Sequence, residues 1–215
     1  MQTKIPRLDA LVSEWRALGS PNQEGFPWVL SKAKWTQLAD EFHVDIEDFP
    51  DLIDRQFLWN ISASTASAQT SFLAVMIWGY GDIGYGPHRV RQMFQSSGFA
   101  SSLDIVKSKC RDGQTLEAYE FLKNSRIRQL GPSFGSKVLT FFHDPDTAPA
   151  ILDSIVANWL NEYVPSLLGG KKVNAETWNV QTYARYIGWI QEVSEAYEIA
   201  PCSLEQLVFT EGYGS

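Results

Sequence analysis

The sequence of 215 residues predicts an all-α protein of about ten helices. Apolar residues recur at helical spacing in most segments, as Leu8, Leu11, Val12 and Trp15 do near the start. No segment alternates with the period of two that marks a half-buried strand, and no hairpin dipeptide lies between β-branched runs. With 44% hydrophobic residues the chain can bury a sizeable core, and its length fits one domain over residues 1–215.

Local signals divide the chain into these helices. Ser31 and Asp153 are candidate N-caps, and Pro87 suits the first turn of a helix. The segment 64–78 is apolar on nearly all sides, so it is expected at the centre of the fold. The predicted helices span residues 7–18, 32–42, 51–59, 64–78, 87–94, 101 or 102 to 110, 114–124, 137–142, 154–163, 174–198 and 204–209.

The net charge of −7 argues against a nucleic-acid partner, because DNA binding usually leaves a basic footprint. The charge is segregated, however. Seven acids and no Lys or Arg lie between Asp40 and Asp54. Residues 121–143 hold no acid and four bases, Lys123, Arg126, Arg128 and Lys137. Ordinary solvated faces give the same pattern, and on charge alone they are the favoured interpretation.

Cysteine usage and hydropathy indicate where in the cell the protein is expected. Cys110 and Cys202 lie outside any CxxC pair, so neither a disulfide framework nor a zinc cluster is predicted, and a cytoplasmic location is expected. The three histidines are too scattered for a metal site. No apolar run reaches the roughly 18 residues that span a bilayer, and the start lacks a secretory signal, so no membrane partner is expected.

The stretch with the most chemical content is Leu130-Gly131-Pro132-Ser133-Phe134-Gly135-Ser136-Lys137-Val138-Leu139, a Gly- and Pro-rich turn leading into a helix. Glycines allow close backbone approach, and a helix start with free N–H groups suits a phosphate. Lys137 is predicted in the first turn, where the helix dipole favours the neutral, nucleophilic amine. Asp153, as an N-cap, is expected to stay ionised because its carboxylate accepts backbone N–H bonds.

These residues resemble a helix–hairpin–helix motif, here about residues 125–142. The span from Ile127 to Leu160 is similar to the catalytic core of the helix–hairpin–helix DNA glycosylase superfamily, most closely its 8-oxoguanine DNA glycosylase branch. In that branch a Pro-Gly-apolar-Gly-x-Lys hairpin precedes a Pro-containing loop and a catalytic aspartate that caps the next helix. The matching residues are Pro132, Phe134, Gly135 and Lys137, then Ala148-Pro149-Ala150-Ile151-Leu152-Asp153 followed by Ile155, Val156 and Trp159.

Two features depart from the family pattern. Ser133 stands in place of the first hairpin glycine, and the lysine-to-aspartate spacing is a few residues shorter. The resemblance implies the glycosylase fold, two helical lobes with a cleft between them. It also implies excision of 8-oxoguanine or another modified base, by Schiff-base chemistry from Lys137 assisted by Asp153, with AP lyase activity.

The implied partner is double-stranded DNA with the modified base flipped out of the duplex. A monomer is expected, and no cofactor is required, although hairpin carbonyls could hold a structural monovalent cation. Aromatic faces stack on bases, so Trp78, Tyr80 and Tyr85 are expected to line the pocket. The resemblance adds Phe141, one turn after the lysine, at a position that flanks the flipped base in the family. Contacts to the DNA backbone are expected from Gly131, Ser133, Gly135, Ser136, Arg126 and Arg128.

Two other functions fit the same sequence. The first is a non-catalytic helix–hairpin–helix module that binds DNA, and the second is a helical protein-interaction domain, which the acidic total charge favours. Covalent trapping on lesion DNA by borohydride separates the enzyme from both. Salt-dependent DNA binding separates the module from the interaction domain.

Overall fold

The computed structural model describes residues 5–21 and 25–214. Eleven α-helices and one two-stranded ribbon form this part of the chain, which confirms the all-α fold class. The ribbon pairs Phe26–Pro27 (β1) antiparallel with Leu52–Ile53 (β2). The helices are Pro6–Ala17 (α1), Lys32–Glu41 (α2), Arg55–Ala63 (α3), Ala68–Tyr80 (α4), Gly86–Phe94 (α5), Phe99–Arg111 (α6), Thr115–Ser125 (α7), Pro132–Phe142 (α8), Ser154–Tyr163 (α9), Val180–Tyr197 (α10) and Pro201–Gly214 (α11).

Helix α4 lies at the centre, as its apolar sequence predicts. Only Gln69 and Gly79 of its residues are not fully buried. Helices α3, α5, α6 and α8 pack around it, which explains why it carries no polar face. Apolar as it is, α4 falls short of a bilayer span, and no helix in the described ranges is long and apolar enough to cross a membrane.

The predicted starts of α3 and α4 are wrong by a few residues. Helix α3 begins after Asp54, whose carboxylate accepts the N–H of Phe57 at 2.7 Å. Residues 52–53, expected to be helical, instead pair with β1. Helix α4 begins after Ser67, which accepts the N–H of Thr70, so residues 64–67 are a cap and not its first turn.

Three later boundaries also differ from prediction. Helix α6 begins at Phe99, since Gly98 takes the left-handed conformation that precedes it. Residues 174–179 form a loop that ends at Asn179, whose side chain accepts the N–H of Thr182 and caps α10. Helix α11 begins at Pro201, which suits the first helical turn, and it continues well past Phe209 to Gly214.

Helices α7 and α8 are joined by residues 126–131, the hairpin turn. Arg126 and Gln129 have positive φ angles of 50° and 64°, so the turn depends on left-handed residues that are not glycines. Helix α8 begins at Pro132, which places Lys137 in its second turn. The prediction of a first-turn lysine is therefore wrong, and the dipole argument for a neutral amine loses its basis.

The segment 148–153 is held between α8 and α10 by side chains that bond to its backbone. Ser136 accepts the N–H of Leu152 at 3.1 Å, and the Thr140 hydroxyl donates to the carbonyl of Pro149 at 2.7 Å. From the other side, the Tyr186 hydroxyl donates to the carbonyl of Ile151 at 2.8 Å. These bonds fix the backbone immediately before α9 and thus the position of its cap.

Gly135 generates a test of this packing. A Cβ at residue 135 would lie 2.3 Å from Cη2 of Trp178, whereas a Cβ at Gly131 meets nothing within 4 Å. Gly135→Ala should therefore lower the free energy of unfolding by about 1–3 kcal/mol through overpacking. Gly131→Ala is the matched control and should change it little. Urea unfolding followed by circular dichroism measures both, and equal midpoints would contradict the packing described.

Candidate active site

A cavity of about 640 Å³ opens where the ends of several helices meet, within the usual size range of small-molecule sites. Its wall is mainly aromatic and aliphatic, with five charged side chains. The lining residues are Phe26 and Pro27 of β1, Arg55 of α3, residues 78–83, Ser133, Phe134 and Lys137 of α8, Ile151, Asp153, Ser154 and Ile155 near the start of α9, and Glu205, Phe209 and Tyr213 of α11.

Lys137 and Asp153 meet in this wall. Lys137 Nζ donates to Asp153 Oδ2 at 2.7 Å, and the two side chains are only 10% and 9% exposed. The ammonium also lies 5.8 Å from the ring centre of Trp78 and 6.0 Å from that of Phe134. The amine is therefore held by one carboxylate and two aromatic rings at the edge of a cavity.

Asp153 caps α9, as predicted. Its Oδ1 accepts the N–H groups of Ile155 and Val156, each at 3.1 Å, while Oδ2 takes the lysine. Burial alone would raise the pKa of the Asp153 carboxyl. Lys137 and the two backbone N–H groups outweigh that effect and hold the pKa below its ordinary value. The group is thus an anion in the folded protein at neutral pH.

A second ion pair lies in the same wall. Arg55 Nη2 approaches Glu205 Oε2 at 2.8 Å, with side chains 10% and 1% exposed. The Arg55 guanidinium carbon lies 5.6 Å from the ring centre of Trp78. Sequence reasoning missed both residues, because one begins α3 and the other lies on α11, and no local pattern links them.

Two of the four predicted pocket aromatics line the cavity, Trp78 and Tyr80. Phe134 joins them, and its ring stacks on Tyr80 with centroids 4.3 Å apart. Sequence reasoning quoted Phe134 only as a motif match. Phe26 and Phe209 were also missed, since their segments carry no signal beyond ordinary apolar residues.

Phe141 and Tyr85 are not part of the wall. The Phe141 side chain is fully buried behind Trp78, with ring centroids 5.2 Å apart. It packs between Trp78 and Trp59, which is a core position, so the prediction that it faces the pocket is wrong. Tyr85 is 54% exposed and contacts the edge of Tyr80 and the guanidinium of Arg89, outside the lining.

Some of the hairpin residues are buried or bonded within the protein, and the others lie at its surface. Ser136 is fully buried and bonded to Leu152, and Gly135 is covered by Trp178, so neither of these two residues is open to a ligand. Ser133 lines the cavity, and its hydroxyl donates to the carbonyl of Ala175 at 2.9 Å. Because Ser133 is helical, its position does not require glycine.

The external part of the hairpin is Gly131, Arg126 and Arg128. Both arginines are exposed, and Arg128 donates to Gln92 of α5 at 3.2 Å. The N–H groups of Ser133 and Phe134 lie in the first turn of α8, where no preceding helical carbonyl is available to them. This edge of the protein can thus receive an anion next to the cavity.

A family model described as "Putative 8-oxoguanine DNA glycosylase OGG-like protein" matches residues 20–209. The match covers the hairpin turn, the Lys137–Asp153 pair and every lining residue except Tyr213. The chain belongs to this OGG-like family. No curated protein and no solved structure matches the chain.

The site of this OGG-like chain combines the groups that covalent amine chemistry needs. A lysine can supply the nucleophile, and a carboxylate 2.7 Å away can hold its ammonium or face a developing cation. Within the described residues, no group of three or more His, Cys, Asp or Glu is placed to hold a metal ion. The aromatic wall offers stacking surfaces for a flat ligand.

The lowered pKa of Asp153 gives the OGG-like fold a pH-dependent contribution to stability. A carboxyl whose pKa is depressed on folding stabilises above its unfolded value, near pH 4, and loses that contribution as pH falls through the folded value. Asp153→Asn should cost roughly 3–5 kcal/mol at pH 7, because it leaves a buried ammonium. The difference from wild type should shrink below about pH 4.

Urea unfolding at pH 7, 5 and 3 measures this difference. Asp51→Asn is the matched control, because it breaks an exposed carboxylate–lysine contact of 2.8 Å with Lys32. An exposed pair contributes about 0–1 kcal/mol, so the control should stay near wild type. A deficit for Asp153→Asn that is the same at pH 3 as at pH 7 would contradict the assignment.

Proposed function

We propose that the chain is a DNA glycosylase with associated AP lyase activity, which excises 8-oxoguanine or another modified base through Lys137. The observation that carries the proposal is the buried Lys137–Asp153 pair in the wall of an aromatic cavity of about 640 Å³. Membership of the OGG-like family supports the coarser part, a function related to DNA glycosylases.

Base binding follows from the shape and lining of the cavity. A nucleobase flipped from the duplex would enter the cavity between the stacked pair Tyr80–Phe134 and Phe209, where stacking contributes about 1–3 kcal/mol per base. The hairpin edge would hold the flanking phosphates through free N–H groups at the start of α8 and through Arg126 and Arg128. Cavity and hairpin adjoin, so one duplex can engage both.

The first chemical step replaces the glycosidic bond with a bond to lysine. Lys137 loses a proton to solvent, and its Nζ bonds to the sugar C1′. The C1′–N bond to the base breaks, its electron pair leaves with the base, and the base takes up a proton. The Asp153 carboxylate faces the positive charge that develops on the sugar and stabilises it electrostatically.

The second step opens the sugar. The Lys137 nitrogen, now a secondary ammonium bonded to C1′, loses a proton to solvent. Its lone pair then forms a C1′=N double bond while the bond from C1′ to the ring oxygen breaks, and that oxygen keeps the electron pair and takes up a proton. Loss of a proton from C2′ then expels the 3′ phosphate by β-elimination and nicks the strand. Water releases Lys137 from the Schiff base.

Two roles are open to Asp153, which are removal of the lysine proton and stabilisation of the cationic sugar. The electrostatics of its carboxylate distinguish between them. Its lowered pKa makes it a weak proton acceptor, and both oxygens already accept hydrogen bonds. A fixed anion with this environment suits stabilisation of a cationic sugar better than removal of the lysine proton. We therefore assign Asp153 the electrostatic role.

The hairpin cation expected from the sequence belongs to the same proposal. The carbonyl of Gly131 accepts one hydrogen bond, from the N–H of Gly135 at 2.9 Å, and a carbonyl oxygen has a second lone pair. It therefore fits as one oxygen ligand of a monovalent cation. A bound cation there would add positive charge beside a DNA phosphate.

Burial of the ion pair favours the enzyme over a non-catalytic hairpin module. Removing two charges from water costs several kcal/mol per ion, and a surface lysine would serve phosphate binding without that cost. A helical interaction domain gives no reason for such a pair in a cavity. Both alternatives remain outcomes of the experiments below.

The central test is covalent trapping with borohydride over a panel of duplexes, each with one modified base or an abasic site. Wild type should be trapped on at least one duplex. Lys137→Gln should reduce trapping by about 10³-fold or more, because the nucleophile is gone. Lys123→Gln, which removes an exposed lysine of α7, is the matched control and should trap like wild type.

Trapping that survives Lys137→Gln would refute Lys137 as the nucleophile. If wild type binds DNA but is trapped on no duplex, the non-catalytic module is supported. An absence of DNA binding at low salt would instead support the interaction domain.

The hairpin arginines allow a second test, of DNA binding. Arg126→Gln and Arg128→Gln should each weaken binding on every sequence and reduce the slope of log K against log salt by about 1. Arg16→Gln, which removes an exposed arginine of α1, should leave the slope unchanged. Fluorescence anisotropy between 50 and 300 mM salt measures the slopes. Equal slopes for all three variants would exclude the hairpin arginines as phosphate contacts.

A further inference from the structure

The connection between α9 and α10 carries two lysines that the proposed chemistry does not use. It is anchored by apolar side chains, since Leu168 and Val173 are buried. Between them, residues 169–172 have the sequence Gly-Gly-Lys-Lys, and all four are exposed. We term these four residues the lysine loop.

The lysine loop begins with a tight turn. Gly169 and Gly170 have φ angles of 63° and 86°, a left-handed conformation that residues with side chains rarely adopt. The N–H of Lys171 donates to the carbonyl of Leu168 at 3.4 Å, which closes the turn. The glycines are therefore required by the backbone, and the two lysines follow the turn at the surface.

Hydrogen bonds fix the chain immediately after the lysines. The Asn161 side chain of α9 bonds to both backbone groups of Val173. Its amide N–H donates to the carbonyl at 3.0 Å, and its oxygen accepts the N–H at 2.7 Å. The Asn174 side chain then accepts the N–H of Glu176 at 2.7 Å. The lysines are thus attached to a backbone of fixed position and not to a free linker.

Ser133 joins this segment to the start of α8. Its hydroxyl donates to the carbonyl of Ala175 at 2.9 Å, and Trp178 packs against Gly135 of the same helix. Ser133 is also one of the two departures from the family pattern, and a glycine in its place could not donate this bond. The departure therefore connects the lysine loop to the hairpin in this chain.

The lysines lie within reach of a DNA strand bound at the start of α8. Lys172 precedes Ala175 by three residues, which span at most about 11 Å. Phosphates of one strand follow each other at about 3.4 Å along the helix axis. The lysine side chains can therefore reach phosphates within about three nucleotides of one held by the first turn of α8.

The charges around the lysine loop favour an anion. Residues 163–180 contain one acid, Glu176, and two bases, Lys171 and Lys172, so the segment is positive. In the part of the chain that the structure describes, neither lysine forms an ion pair with an acid. A lysine is a compact charge on a flexible stem, which suits contact with a phosphate.

We propose that the lysine loop is a second binding site for the DNA backbone, in which Lys171 and Lys172 contact phosphates and the Ser133 hydroxyl holds the loop beside the hairpin. The inference rests on the proposed function, because DNA is the partner. Ser133 is a positioning residue here, since its hydroxyl acts through Ala175. Hairpin and loop together contact more phosphates than the hairpin alone and so fix the register of the duplex over the cavity.

The salt dependence of binding to a duplex with an abasic site tests the two lysines. The variant Lys171→Gln/Lys172→Gln should reduce the slope of log K against log salt by about 2, because two phosphate contacts and their released counterions are lost. Fluorescence anisotropy between 50 and 300 mM salt measures the slope. A reduction of less than about 1, the loss of a single contact, overturns the proposal.

Lys109→Gln is the matched control. Lys109 Nζ donates to Gln114 at 3.3 Å, at the start of α7, whereas the hairpin follows the other end of this helix. The 11 residues of α7 separate the two ends by about 16 Å, so Lys109→Gln should leave the slope unchanged. An equal reduction in this control would show a general effect of charge and would also overturn the proposal.

A double-mutant cycle tests the role of Ser133. Ser133→Ala removes the hydroxyl and keeps the helical backbone with its N–H group. If the hydroxyl holds the loop, the loss of both lysines should weaken binding by about threefold less in the Ser133→Ala background than in wild type. Ser13→Ala, which removes a hydroxyl that bonds within α1, should be additive with the lysine variant. Additive effects for Ser133→Ala would refute its positioning role.

Trapping and binding together separate this inference from the proposed function. If wild type binds DNA with a slope that depends on the lysines but is never trapped by borohydride, the glycosylase proposal fails and the lysine loop stands as a DNA site. If wild type is trapped and the slope does not respond to the lysines, the loop is refuted and the glycosylase proposal stands. An absence of DNA binding refutes both.

Discussion

The contact between Lys137 and Asp153 is the interaction on which the surrounding structure depends. Two charges removed from water are stable only when their partners are close and their remaining bonding sites are filled. Asp153 meets this condition because its second oxygen accepts two N–H groups at the start of α9. The backbone before α9 must then be fixed, which is the task of Ser136, Thr140 and Tyr186.

The wall of the cavity is built outward from the end of α4. Trp78 lies where the fully buried helix emerges, and it packs edge-on against Phe26 on one side and Phe141 on another. Both buried cations, Arg55 and Lys137, also contact its ring. Phe141 packs against Trp78 from the core side and does not line the cavity.

Local signals in the sequence were sufficient to single out Lys137 and Asp153, the pair at the centre of the candidate site. Asp153 is an N-cap, a property set by its own residue and the next three, and Lys137 follows a Gly- and Pro-rich turn that marks a helix start. Prediction failed by one turn at Lys137 because Pro132, and not a later residue, begins α8. It failed at Phe141 because helical spacing predicts which face of a helix a side chain lies on. It does not predict whether that face packs against the core or borders a cavity.

The remaining wall residues could not be predicted from local signals. Arg55 begins α3, and Glu205 and Phe209 lie one helical turn apart on α11. They line the same cavity as Trp78 only through the packing of helices distant in sequence. Their residue types also gave no indication of a site. Charged residues at helical spacing usually lie at the surface, and aromatic residues usually lie in the core. A buried ion pair between two such helices is a property of the tertiary structure alone.

The acidic total charge does not exclude the proposed contact between the hairpin and DNA, because some of the acids are already paired with other bases. Part of the acid-rich segment between Asp40 and Asp54 is matched locally, as the contacts Glu41–Arg91 and Asp51–Lys32 show. Within the described residues, no ion pair to an acid is formed by Arg126 or Arg128. Salt screens exposed charges beyond about 8–10 Å, so a phosphate at the hairpin responds to its neighbours and not to the net charge.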